Sequence, residues 1–429
     1  MFRTPPGGIR QDAVPPTRKG WLPQTFASFR YRNYRLFFIG QLISLTGSWM
    51  EQMAMSWLAY QLTNSALFLG VASTVGTLPI LLFAIPGGVL ADRVNKRRLL
   101  IYTQIALMAC SLMLAALIFT HLIRPWQILL LAFCAGTALS FDMPTRQAFV
   151  PELVGREELM NAIALNSSIF NGARIVGPAV AGIVVASLGL AWCFLINAVS
   201  FLAVIAGLLL MQVPPKVARI GQQTNLFEDA LGGLRYLWQH QRVRAIAALM
   251  AVFSIFGWTY SVLMPVFARD ILHAGARGLS LLMTSNGIGA FIGALIVASI
   301  GNYPRRGRLL LGGALLLGLA GLGFAYSHSF IVSALLLALA GFGGVALMSS
   351  ANTMIQLAVT DEMRGRIMGV WSLVFIGSTP VGSLLAGLLA KYWNAPAAVM
   401  VGAGVTILTA LLAGVIIIRR RNPAEAADN

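Results

Sequence analysis

Residues 66–98 read ALFLGVASTVGTLPILLFAIPGGVLADRVNKRR. Positions 67–91 form an uncharged apolar run that stops at a charged cluster, Asp92, Arg93, Lys96, Arg97 and Arg98. About 20 apolar residues, rising 1.5 Å each in a helix, cross the ~30 Å hydrocarbon core of a bilayer. The basic cluster then marks where the chain meets water.

The pattern recurs on both sides of this stretch. Further apolar runs fall at 36–61, 99–120, 126–143, 164–187, 190–211, 245–270, 279–300, 308–327, 330–350, 367–391 and 396–418. Hydrophobic residues make up 58% of the 429 and charged residues 10%, against roughly 25% charged in a soluble domain. Each run is long enough to span alone, and lipid leaves its backbone polar groups no outside partner, so helices are expected and not a barrel. The expected fold is an all-α membrane protein with twelve transmembrane helices.

The net charge of +17 does not point to nucleic acid, because the basic residues sit at the ends of apolar runs. Of 31 Lys and Arg, 26 fall in segments on one side, four on the other (Arg124, Arg269, Arg277, Lys391), and Arg174 lies within a run. The positive-inside bias predicts both termini in the cytoplasm. Met1 to Thr25 is polar and proline-rich without an apolar core, so no cleavable signal peptide is expected. Cys110, Cys134 and Cys193 sit in apolar runs without CxxC spacing and read as small hydrophobes. No GxxxxGK[ST] and no catalytic or zinc spacing occurs, which disfavours an ATP-driven pump and an enzyme. No cofactor and no metal is expected.

The chain also repeats itself at an offset of about 209–210. Gly47-Ser48-Trp49 matches Phe256-Gly257-Trp258, the turn after Leu62 matches the one after Leu272, and Gln147 matches Gln356. Gly177-Pro178 with Gly182 is echoed by Pro380 with Gly382 and Gly387. Parallel six-helix repeats are one way transporters build two bundles around a midplane site. The expected division is a cytoplasmic segment 1–35, a bundle 36–211, a linker 212–244, a second bundle 245–418 and a tail 419–429. In the linker, Leu226, Ala230, Leu231, Leu234, Leu237 and Trp238 recur at helical spacing, which predicts an amphipathic interfacial helix.

Gly88-Val-Leu-Ala-Asp92-Arg93-Val-Asn95-Lys96-Arg97-Arg98 resembles the 2–3 loop signature of the major facilitator superfamily, with Asn95 in place of a turn glycine. Asn tolerates the left-handed conformation such a turn is expected to need. In the second-half counterpart Asn302 stands where Asp92 would be. Asp142-Met-Pro-Thr-Arg146-Gln147-Ala-Phe-Val-Pro151-Glu152, Asn161-Ala-Ile-Ala-Leu-Asn166-Ser167, Arg174-Ile-Val-Gly177-Pro178 and Arg364-Gly365-Arg366 resemble the superfamily's secretion-type branch, which includes the enterobactin exporter. The resemblance implies a monomeric transporter in a bacterial inner membrane. It implies export of a siderophore, drug or related amphiphilic metabolite by alternating access and proton antiport. A facilitator or importer, or a lipid-handling or sensor protein, remains the alternative.

Glu51 is the only acid well inside a run, and a carboxylate there costs at least ~2.5 kcal/mol unless protonated, paired or hydrated. Gln41, Ser44, Ser48, Glu51, Gln52 and Met55 fall within roughly a 100° sector of one helix, a stripe suited to a cavity. Glu51 is a candidate for proton coupling or cation binding; a helix-packing carboxyl or a hydrated vestibule would also account for it. Arg174 shares a helix face with Ser167, Asn171 and Pro178. It could pair with Glu51, with Asp142, or with an anionic substrate such as a catecholate or carboxylate. Ser48, Gln52, Asn171, Trp258, Tyr260 and Asn286 are candidate substrate contacts, although such aromatics are more often plain packing. Asp92, Arg93, Arg97, Asp142 and Arg146 read as a cytoplasmic latch, with a local Asp142–Arg146 pair as a further reading. Gly177-Pro178 resembles the helix 5 motif associated with antiporters; a packing kink is the alternative. His121, His273 and His328 fall at helix ends opposite the basic loops and read as interfacial side chains.

Overall fold

The computed structural model describes residues 24–212, 235–236, 238–300, 306–359, 363, 367–369, 371, 374–375 and 377–419. Among them every regular element is helical. After a short 3-10 turn, Gln24–Arg30, come α1 (Arg32–Thr63), α2 (Ala66–Arg93), α3 (Lys96–Phe119), α4 (Pro125–Leu153), α5 (Leu159–Ser187) and α6 (Leu190–Leu210). α7 is composite: Gln241–Val252, a π turn at Phe253–Gly257, Thr259–Val266, and a second π turn at Phe267–Ile271. α8 (Gly275–Ser299), α9 (Arg306–Tyr326), α10 (Phe330–Ala358), α11 (Thr379–Tyr392) and α12 (Ala395–Arg419) follow.

Ten of these, all but α1 and α11, are long and apolar enough to cross a membrane among the described residues. α1 has ample length, 32 residues, but its polar stripe lowers its mean hydropathy. The continuously described part of α11 is 14 residues.

Several helices outrun the apolar runs that announced them. α4 continues past 143 to Leu153 with Pro144 and Pro151 inside it, α5 begins at Leu159 rather than 164, and α10 runs to Ala358 rather than 350. Hydropathy marks only the part that sits in hydrocarbon, whereas a helix continues for as long as its packing supports it. Asn95 also departs from expectation. Its φ is −65°, not left-handed, and it caps α3 by accepting a hydrogen bond from the Arg98 amide (3.1 Å). The side chain acts at the helix start, where Asn is among the favoured caps.

Left-handed residues do appear at the opposite end. Asn64 and His273, at matching places in the repeat, both have φ of +49° and close the turns after α1 and α7. His121, His273 and His328 are exposed at that end. Of the linker, residues 213–234 lie outside the described residues, as do Asn302, Arg364 and Arg366 and most of the expected amphipathic helix. Near its end Arg235, Tyr236, Trp238 and Gln239 are described, and Tyr236 donates a hydrogen bond to the Ala358 carbonyl at the end of α10 (3.3 Å).

The helices are taken in chain order as two groups, α1–α6 and α7–α12. α1 lies on α5 and α6, α3 on α4 and α6, and α2 on α4; α8 and α9 lie on α10, and α12 on α9 and α7. The groups meet where α2 packs on α11 and α5 on α8. Bare backbone makes these junctions close. A Cβ on Gly70 would lie 2.5 Å from the Ser383 carbonyl oxygen, and one on Gly182 would lie 2.3 Å from Ser280 Oγ. Among the described residues the hydrogen bonds that join the groups are Tyr60–Asp270, Ser73–Ser383, Thr74 to the Pro380 carbonyl, Ser280 to the Pro178 carbonyl, and Arg174–Asn286. All lie between the middle of the helices and the end away from the basic loops.

Candidate substrate and coupling site

Glu51 projects from α1 into the first helix group. Its carboxylate accepts hydrogen bonds from Ser111 Oγ of α3 (2.5 Å) and from the Asn197 amide of α6. Asn197 Oδ1 in turn accepts from Ser200 Oγ (3.0 Å). Gly47 makes the space, since a Cβ there would lie 2.5 Å from Asn197 Oδ1. No basic side chain pairs with Glu51 among the described residues. Both donors are neutral, an arrangement that can serve either a carboxylate or a carboxylic acid. Along the stripe Gln41 and Ser44 are buried, Ser48 and Glu51 half-buried, and Gln52 exposed. Ser48 spends its hydroxyl proton on the Ser44 carbonyl (2.9 Å).

Arg174 lies elsewhere. Its guanidinium donates to Asn286 Oδ1 of α8 (2.7 Å) and stands 5.8 Å from the Trp49 ring and 5.9 Å from the Trp258 ring. Asn286 is held by its Nδ2, which donates to the Leu337 carbonyl (3.0 Å) and to Tyr260 Oη (3.1 Å). Because Leu337 can only accept, the amide must turn its oxygen toward Arg174. Arg174 and Glu51 do not meet, for a geometric reason. Trp49 and Glu51 are two residues apart on α1, about 200° around the helix, so the face toward Arg174 is not the face that carries the acid. Asn171 is half-buried and bonds back to the Ser167 carbonyl (2.9 Å).

Gly177 and Pro178 act on both neighbours of α5. A Cβ on Gly177 would lie 2.5 Å from Trp49 Cβ and 2.8 Å from the Thr46 carbonyl of α1. The Pro178 carbonyl accepts from Ser280 Oγ of α8 (2.6 Å).

The expected latch residues make their described contacts within the first group. Asp142 is fully buried; it accepts from Thr103 Oγ1 (2.9 Å) and Gln104 Nε2 (2.8 Å) and pairs with Arg146 one turn on. Arg97 donates to the Leu209 carbonyl (2.8 Å) and to that of Leu208 at the end of α6, where orphan carbonyls favour a cation. Arg93 is exposed, and the Asp92 side chain lies outside what is described.

Sequence reasoning did not single out Ser111, Asn197 or the Tyr60–Asp270 bond, and noted Trp49 only for the repeat. Asn197 carried a usable signal, as the lone amide side chain in the run 190–211.

A multi-span helical protein with a polar, charged seam between its helices has the architecture of a solute transporter. Residues 23–429 match the family model described as transmembrane secretion effector, and the chain belongs to that family of the major facilitator superfamily. It is a secondary transporter of a small molecule and a multi-pass inner-membrane protein, not an enzyme. It is 25% identical over 361 residues to the staphyloferrin A transporter of Staphylococcus aureus (strain NCTC 8325 / PS 47), covering 84% of this chain and 90% of that one. It is 28% identical over 415 residues to the enterobactin exporter EntS of Shigella boydii serotype 4 (strain Sb227), covering 94% and 96%. The crystal structure of nucleoside transporter NupG shares the fold, with a TM-score of 0.73 at 12% identity over 91% of this chain and 100% of that one.

Proposed function

We propose that this chain exports a small amphiphilic molecule, of the siderophore, drug or related metabolite class, from the cytoplasm by proton antiport. In this reading twelve helices form two six-helix halves, 36–211 and 245–418, joined by the linker 212–244, in a monomer with both termini cytoplasmic. The 26-to-4 distribution of basic residues supports the orientation. The names of the two relatives, a staphyloferrin A transporter and an enterobactin exporter, support the substrate class and, for the second, the direction.

The observation that carries the mechanism is the placement of the contacts between the groups. Among the described residues they gather at the end away from the basic loops, which supports a state open toward the cytoplasm and ready to load. Glu51 is the coupling acid: its neutral partners let it hold or release a proton without leaving a buried cation unpaired. Ser48, Gln52, Asn171, Arg174, Trp258, Tyr260 and Asn286 contribute to the substrate path. Asp92, Arg93, Arg97, Asp142 and Arg146 organise the cytoplasmic face and hold it closed in the opposite state.

The test is Glu51→Gln in proteoliposomes. The expected result is loss of proton-driven transport with substrate counterflow retained. Unchanged proton coupling removes Glu51 from the mechanism, and wild-type efflux that ignores the proton gradient makes the protein a facilitator.

A further inference from the structure

A guanidinium within a membrane-spanning helix ordinarily stands against a carboxylate or is drawn toward water. Arg174, half-buried, pairs with no carboxylate among the described residues. It sits at the seam where α5 meets α8, close to two indoles and one amide oxygen. A guanidinium has five N–H donors in a fixed planar fork, and among the described residues one hydrogen bond, to Asn286, uses them. Among the acids of the described helices, Glu51 is engaged by Ser111 and Asn197, Asp142 by Arg146, Glu152 by Lys96, and Asp270 by Tyr60 and Arg269. The surroundings are nonetheless built. Asn286 is fixed by Leu337 and Tyr260, so it steadies one edge of the fork. Gly287 lets α8 come close to α5 here, since a Cβ on it would lie 2.9 Å from the Arg174 carbonyl. Trp49 and Trp258 occupy matching places in the repeat, one from each helix group, so the cation is shared between equivalent aromatics across the seam.

We propose that Arg174, Trp49 and Trp258 form a subsite for an anionic group on a planar or apolar body, a carboxylate or a comparable oxyanion. This rests on the reading that the seam carries the substrate, and it adds that the substrate bears a negative charge. The free edge of the fork matches an oxyanion in two-point geometry. The rings hold the cation when the subsite is empty and supply flat apolar surface for the ligand body when it is filled. One residue of each helix group then touches the ligand directly, so binding is sensitive to how the groups are set.

The probe pair is 2-naphthoate and its neutral isostere 2-naphthamide, measured by equilibrium dialysis against protein in phosphatidylcholine nanodiscs with no gradient. The expected result is naphthoate bound at least tenfold tighter than naphthamide. R174Q should bring the two within twofold by weakening naphthoate, whereas R174K should retain part of the preference, keeping the charge and losing the fork. Equal affinities in the wild type, or an unchanged ratio in R174Q, overturns the proposal, as does absence of binding by both probes. The wild-type ratio decides even where a variant does not fold. Repeating the measurement with phosphatidylglycerol in the disc separates sources. Displacement of naphthoate that depends on Arg174 assigns the anion to a lipid headgroup and overturns a solute subsite. A proton-coupled exporter of neutral molecules would fail here and pass the Glu51→Gln test; a facilitator of anions would do the reverse.

Discussion

Gly70 offers the most direct way to move the conformational balance. A Cβ at this position of α2 would stand 2.5 Å from the Ser383 carbonyl oxygen and 2.9 Å from Gly387 Cα, both on α11. These obstacles are backbone, so no side chain can swing aside. Gly70→Val therefore forces α2 and α11 apart at the end away from the basic loops, at an overpacking cost of about 1–3 kcal/mol. On the proposed mechanism that contact exists only while this end is closed, so the cost falls on one state, and at about 1.4 kcal/mol per decade it shifts the equilibrium roughly 5- to 150-fold. Spin labels on Leu122→Cys and Tyr392→Cys, both exposed at that end, in a background lacking the native cysteines, report the separation by double electron–electron resonance. The long-distance population should grow. Gly136→Ala is the control, because its Cβ would lie 2.1 Å from the Gly76 carbonyl within one helix group. It should lower the unfolding temperature and leave the distance distribution as in the wild type. If Gly70→Val behaves like the control, the α2–α11 contact persists in both states and the reasoning fails.

Tyr60→Phe removes the bond to Asp270 that ties α1 to α7. Because the Asp270 side chain is 45% exposed, the bond is screened and contributes no more than about 1 kcal/mol, so the same spin-label pair should report a two- to fivefold shift, smaller than that of Gly70→Val. Asp142→Asn takes the countercharge from Arg146 beside a fully buried position, and should destabilise by roughly 3–5 kcal/mol in thermal unfolding; the double variant Asp142→Leu with Arg146→Met should recover most of that loss. Asn197→Ala deprives the Glu51 carboxyl of one of its two donors. It should cost about 1–3 kcal/mol of stability, and the further change Glu51→Gln should cost less in that background than alone.

What could be read from the sequence follows from where each constraint acts. Spanning is a local demand, because a helix in lipid must satisfy its backbone within itself, so the runs at 190–211 and 308–327 foretold α6 and α9 closely. The ends of α4 and α5 were not legible, since the residues beyond the hydrocarbon are held by packing. Glu51 and Arg174 stood out as charges in apolar surroundings. Their partners did not, because Ser111 and Asn197 come from helices 60 and 146 residues along the chain, and Asn286 from one 112 residues away. Which face of a helix meets which neighbour is decided by assembly. The stripe on α1 was seen as one polar surface, yet Trp49, off that stripe, is the residue that reaches Arg174.

That division of α1 bears on coupling. Glu51 is bonded to α3 and α6 inside the first group, while Trp49 stands at the seam beside Arg174. An ion pair between the two charges is not part of this arrangement, so on the proposed mechanism a proton at Glu51 acts on the substrate through displacement of α1. The contact with α5 suits such a movement. At Gly177 the two helices approach with no side chain from α5 between them, against the Trp49 Cβ and the backbone of Thr46 and Met50. A surface of that kind resists separation but offers no knob to block sliding or rotation about the helix axis. On the proposed mechanism, protonation of Glu51 changes how α1 is held by α3 and α6, and the same rigid helix carries Trp49 past Gly177 and so alters the surroundings of Arg174. Proton and substrate would then be linked by the two faces of one helix, a geometry in which each can be mutated without touching the other.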